Sequence, residues 1–164
     1  MRPREHHQKP IRVLACGERL RGDDAAALRA IELLPEDASA LAEVIEVGQL
    51  SVEALLDTPN GVAVIVADAA VGVAPGAVVT LPLESLAGGE SGATPASSHA
   101  LPPYQVIELA TELRGTPLRG SFLGIGGAEF RFGEGLSPEV AAGLPAFTAA
   151  LAAEIRRLAA ETSS

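Results

Sequence analysis

Val62-Ala63-Val64-Ile65-Val66-Ala67 is an unbroken apolar run, rich in β-branched residues, and Asp68 follows it. A strand with one wet face alternates apolar and polar residues. A run apolar at every position reads instead as a strand covered on both faces. Such strands belong to parallel sheets with helices packed on either side. Ile11–Cys16 and residues 120–125 are further short, mostly apolar runs. Together they point to an α/β fold. We expect a three-layer sandwich whose mostly parallel, twisted, five-stranded sheet carries helices on both faces, with strands 1, 3 and 5 at its centre.

The punctuation between these runs supplies the other elements, in the order β-α-β-α-β-β-α-β-α. After strand 1, Asp23 or Asp24 opens a helix over 25–34. Ala27, Leu28, Ile31 and Leu34 make its apolar stripe, and Pro35 stops it. Residues 44–47 alternate around Glu46 as strand 2, closed by Gly48. Ser51 caps a short helix, Val52–Leu56, because its hydroxyl can accept from a free first-turn amide. Asn60-Gly61 is a turn before strand 3. Pro75-Gly76 leads into strand 4 at 77–83. Residues 86–98, rich in Gly, Ser and Ala, form a long connection of the kind that is functional or disordered. Pro102-Pro103 opens a helix to Leu113, since proline suits the first turn. Strand 5 spans 120–125, and 129–135 is an irregular return. Ser137 caps the last helix, Pro138 takes its first turn, and the helix runs to about Ala160. Residues 1–10 are polar and basic without an apolar stretch, so they read as a disordered tail rather than a secretory signal. Residues 11–164 form one domain.

Charge and rare residues narrow the chemistry. Net charge is -9, which opposes binding to nucleic acid or to anionic membranes. No apolar stretch approaches the ~20 residues of a membrane span. We therefore expect a cytoplasmic protein without nucleic-acid or membrane partners. The single cysteine, Cys16, precludes an intrachain disulfide and reads as a buried, inert thiol. The single lysine, Lys9, lies in the tail, so the folded body has no phosphate-loop, Schiff-base or general-base lysine. His99 is the one histidine outside the tail.

Asp24, Asp68 and His99 are the candidate site residues. Each sits just beyond an apolar run or in a connection, and in an open α/β sheet ligands bind at the carboxyl ends of the strands. Each also has a plain reading. Asp23-Asp24 can cap a helix, although one aspartate suffices and the second is surplus. Asp68 can be a turn residue at a strand end. An ionised carboxylate after six apolar residues nevertheless needs a partner, and Ala69-Ala70 offers none. His99 can be an exposed loop residue before a helix that Ser97 or Ser98 caps. Other functions on similar folds fail for want of residues. A phosphorylation receiver needs a lysine after strand 5, where Ile125-Gly126-Gly127 stands. A dinucleotide loop needs G-x-G-x-x-G after strand 1, where Gly17 is followed by Glu18, Arg19 and Leu20. No G-x-S-x-G elbow is present. Two carboxylates and an imidazole suit nickel, zinc or a similar divalent ion. They leave positions open for a substrate carbonyl and water.

Several motifs, taken in order, resemble the hydrogenase maturation endopeptidases. They are Gly17-x4-Gly22-Asp23-Asp24 after strand 1, Ala67-Asp68-Ala69 after strand 3, and Ser98-His99 before the next helix. Phe122-Leu123-Gly124-Ile125 and Gly133-Glu134-Gly135-Leu136-Ser137-Pro138 follow. The resemblance covers roughly residues 11–158. It implies an endopeptidase that removes the C-terminal extension of a nickel-iron hydrogenase large-subunit precursor. It further implies that nickel arrives with that precursor, zinc or another divalent ion being a surrogate. By motif match the three ligands are Asp24, Asp68 and His99, and Asp23 is a neighbouring acidic position. Asp23 or Glu18 is then a candidate base or water-orienting group. The chain departs from the family pattern at Glu18, where Asn is common, and at Ala25, where Gly is frequent. It departs again at Glu46-Val47-Gly48-Gln49, at Pro102-Pro103 and at Gly126-Gly127. These changes leave room for a second reading, a non-catalytic metal-dependent binding module for a hydrogenase-related partner.

Overall fold

A computed structural model describes residues 8–87, 101–133 and 135–162. β1 (Ile11–Cys16), β3 (Ala63–Ala70) and β5 (Gly120–Gly126) form the centre of one sheet. β2 (Ala42–Val47) and β4 (Val78–Pro82) are its edges, in the order β2-β1-β3-β5-β4. All neighbours are parallel except β4, which runs antiparallel to β5. The three most apolar strands are thus the central ones, as their composition requires.

Successive residues of a strand point to opposite faces, and the two cores follow that alternation. Val13, Ala15, Ile65 and Ala67 share one core with α1 (Ala26–Glu32) and with Phe147, Leu151 and Ile155 of α6 (Pro138–Thr162). Leu14, Cys16, Val64 and Val66 share the other with Leu55 of α3 (Val52–Leu56), Leu83 of α4 (Leu83–Ala87), and Val106 and Ile107 of α5 (Pro103–Arg114). The short α2 (Glu36–Ser39) leads into β2. Ser51 caps α3 as its position predicts, its Oγ accepting from the Ala54 amide at 3.2 Å.

Two elements differ from the sequence reading in ways that matter for the site. β3 does not stop at Ala67. Asp68, Ala69 and Ala70 keep pairing with Gly124, Ile125 and Gly126, so Asp68 lies within the strand rather than after it. The helix expected over 25–34 is a 3₁₀ turn, Gly22–Ala25, followed by α1, and no side chain caps either. The aspartates expected to cap it are engaged elsewhere. α2 and α4 were not anticipated. Most of the 86–98 connection, His99 and residues 1–7 of the tail lie outside the described residues.

Candidate functional site

The site begins where β1 ends. The Gly17 amide donates to the carbonyls of Val47 (3.2 Å) and Gly48 (3.0 Å), tying the outgoing loop to the end of β2. Gly17 has φ +127°, and a Cβ there would run into the Asp24 carbonyl oxygen. Only glycine satisfies both conditions. Gly17→Ala is expected to lose about 2–4 kcal/mol of stability, through backbone strain and a displaced Asp24. Urea denaturation of the two proteins checks this, and a loss below about 0.5 kcal/mol would contradict the geometry.

Beyond Gly17 the loop turns back on itself. The Glu18 amide donates to Asp24 Oδ2 at 2.9 Å. Arg19 braces the outside of the loop, reaching Glu32 on α1 at 2.5 Å and Glu46 on β2 at 2.6 Å. Asp24 is half-buried. Burial pushes its carboxyl up, the Glu18 amide opposes, the Glu18 charge adds and Arg21 opposes, for a net rise above the ordinary value. Asp68 enters from β3 opposite Gly124. Burial, then the charge of Asp24, push its carboxyl up to about 8, with the Ala69 amide pulling slightly back. Two acids from separate elements therefore stand close enough to repel, and at neutral pH Asp68 keeps its proton. Both also bear on Cys16, whose thiol is raised well above its ordinary value by burial first and by these two charges second. A buried, neutral thiol is what the sequence predicted there.

Asp23 has a different task from its neighbour. It is fully buried. Its carboxylate accepts from the amides of Ala128 (2.8 Å), Glu129 (2.8 Å) and Ser137 (2.7 Å), and from the Ser137 hydroxyl (2.8 Å). Burial alone would raise this carboxyl, but the three amides and the hydroxyl outweigh it and hold the pKa below the ordinary value. The residue is a clamp between the β1 loop and the return from β5 to α6. It does not cap the helix, and four donors hold its buried carboxylate in place. Ser137 in turn caps α6, its Oγ accepting from the Val140 amide at 3.4 Å.

The third candidate, His99, lies outside the described residues. Among the described residues no three His, Cys, Asp or Glu side chains gather into a metal-holding group. Asp24 and Asp68 would supply two oxygen donors to a bound cation. Their mutual repulsion would be relieved by a divalent cation, so the donor chemistry fits the ion that the sequence motifs imply.

Comparison with solved structures matches the fold to hydrogenase maturation enzymes. Hydrogenase maturating endopeptidase HybD from E. coli superposes with a TM-score of 0.68 and 25% identity, covering 90% of this chain and 92% of that one. The chain has the fold of the hydrogenase maturation endopeptidases. The [NiFe] hydrogenase maturation protease HybD from Thermococcus kodakarensis gives 0.62 and 23% identity, over 85% of this chain and 95% of its own. Endopeptidase HycI from Escherichia coli gives 0.62 at 18% identity, over 87% and 89%. No protein-family model and no curated protein matches the chain. Among the described residues, no helix is long and apolar enough to cross a membrane.

Proposed function

We propose that this chain is an endopeptidase of hydrogenase maturation. Its substrate is a nickel-iron hydrogenase large-subunit precursor, from which it removes the C-terminal extension in the cytoplasm. Asp24, Asp68 and His99 hold the nickel that the precursor carries. The observation that carries the reading is the Asp24–Asp68 pair, two acids forced together at the carboxyl edge of a sheet shared with enzymes of that name. Keeping two like charges at such a place is costly unless a cation comes to meet them.

The chain's own residues then have distinct roles. The Glu18 amide fixes the rotation of the Asp24 carboxylate. Asp68, its carboxyl raised to about 8, would release its proton to solvent where a cation is bound. A divalent ion held there would supply Lewis-acid chemistry, polarising the scissile carbonyl and making water a better nucleophile. With Asp23 buried and held by four donors, Glu18 is the exposed acid on this loop that would take a proton from water at the site.

The test is a gel shift of nickel-loaded precursor. Wild-type protein is expected to shorten it, and His99→Ala is expected to leave it full length without changing the melting temperature. Trimming by His99→Ala at the wild-type rate would remove His99 from the site. Wild-type protein that binds the loaded precursor and never shortens it would make the chain a binding module instead.

A further inference from the structure

Phe132 is 84% exposed and Leu20 is 47% exposed, in a chain whose other described phenylalanines are buried or half-buried. The two come from loops more than a hundred residues apart, yet the backbone stitches those loops together. The Gly133 amide donates to the Leu20 carbonyl at 2.7 Å, and the Gly22 amide to the Gly133 carbonyl at 3.1 Å. Arg21 and Gly133 form a parallel bridge, and one step back along both chains puts Leu20 beside Phe132. The Asp23 clamp holds both loops from beneath. Phe130, two residues before Phe132, packs over Gly127 so closely that no Cβ fits there. The return therefore packs one aromatic ring and presents the other to solvent on a braced support.

This rim borders the carboxylate pair. Leu20 lies on the loop whose Glu18 amide holds Asp24. The rim also presents two arginines, although the chain as a whole carries -9. Arg21 is exposed, and its charge reaches Asp24. The Arg131 side chain is 90% exposed, with Glu129 at 3.4 Å. Exposed aromatic and arginine side chains grouped at one place are the usual anchors of protein recognition. A second copy of this chain is a poor occupant. Two side chains cover far less than the ~1,200 Å² that a stable interface buries, and the acidic remainder of each copy would repel the other.

We infer that Leu20 and Phe132, flanked by Arg21 and Arg131, seat an extended segment of the protein substrate beside the bond to be cut, a segment with an apolar side chain next to a carboxylate. This inference rests on the endopeptidase reading and says which part of the partner the site holds, and by what chemistry.

The experiment compares wild type with Phe132→Ser, Leu20→Ser and Arg21→Glu on nickel-loaded precursor, reading KM and kcat separately, with direct binding alongside. Because these side chains are exposed, melting temperatures should stay level. Phe132→Ser is expected to raise KM about tenfold while kcat stays within about twofold. Arg21→Glu should raise KM more at low salt than at high salt. Unchanged KM and affinity in all three variants would overturn the inference while leaving the endopeptidase reading intact. So would a dimer that Phe132→Ser dissociates without affecting the precursor. If wild type binds the precursor but does not cut it, the endopeptidase reading fails, and a tenfold weaker affinity of Phe132→Ser would still support the rim. If wild type neither binds nor cuts, both fall.

Discussion

Asp23→Ala is expected to cost the fold about 3–5 kcal/mol, because it strips the partner from three buried amides and a hydroxyl at once. Those four donors sit on Ala128, Glu129 and Ser137, so the loss falls on the attachment of the β5–α6 return to the β1 loop. Asp23→Asn should do little better. One carboxylate oxygen receives two amides and the hydroxyl, and the other receives an amide. Either orientation of an asparagine sets its NH₂ against a donor. The effect also has a pH signature. The folded pKa of Asp23 lies below its ordinary value, so between that folded pKa and the unfolded pKa of about 3.9 the folded state holds fewer protons than the unfolded state. The stabilisation is complete above that value and is lost as pH falls through the folded pKa. Urea unfolding of wild type and Asp23→Ala should therefore differ most near neutrality and converge in acid. A difference under about 1 kcal/mol at pH 7 would mean that the clamp is not formed.

The reason Asp23 escaped the sequence reading is its reach. Its partners lie 105 to 114 residues away, and no local pattern announces such a contact. Next to Asp24 and ahead of a helical stripe, it looked like a cap. What was legible was local or periodic. The unbroken apolar run of β3 required cover on both faces, and that placed it in the centre of a parallel sheet. Ser51 before Val52–Leu56 is a cap with a nearby target, and Ser137-Pro138 opens α6 as such a pair should. The end of β3 was not legible. Asp68, Ala69 and Ala70 carry little strand preference, and they stay in the sheet because Gly124, Ile125 and Gly126 pair with them. The family resemblance rested on the order of several weak motifs, and the fold agrees with it. The motifs also singled out Asp24, Asp68 and His99 together. The cost of bringing the two aspartates together emerges from packing, which spacing along the chain does not report.

That cost makes Asp68 the residue with the largest expected effect on both function and pH dependence. Asp68→Asn keeps shape and removes charge. On the proposed mechanism it should reduce precursor trimming about a thousandfold or more. In metal-free protein its effect on stability runs the other way. The folded pKa of Asp68 is raised to about 8, whereas the unfolded value is about 3.9. Between those values the folded state keeps a proton that the unfolded state has released, so stability falls as pH rises from about 4 to about 8. Below the window both states are protonated and nothing is lost. Asp24 is raised as well and adds to the decline with the same sign. Asp68→Asn should flatten most of the slope and melt above wild type at pH 8.5. Asp24→Asn should remove only part of it, because burial outranks the Asp24 charge among the causes acting on Asp68. Melting temperature against pH for chelator-treated wild type and the two variants is the measurement. If Asp68→Asn follows the wild-type slope across the window, Asp68 ionises as freely as a surface acid, and the pair on which the proposed function rests is absent.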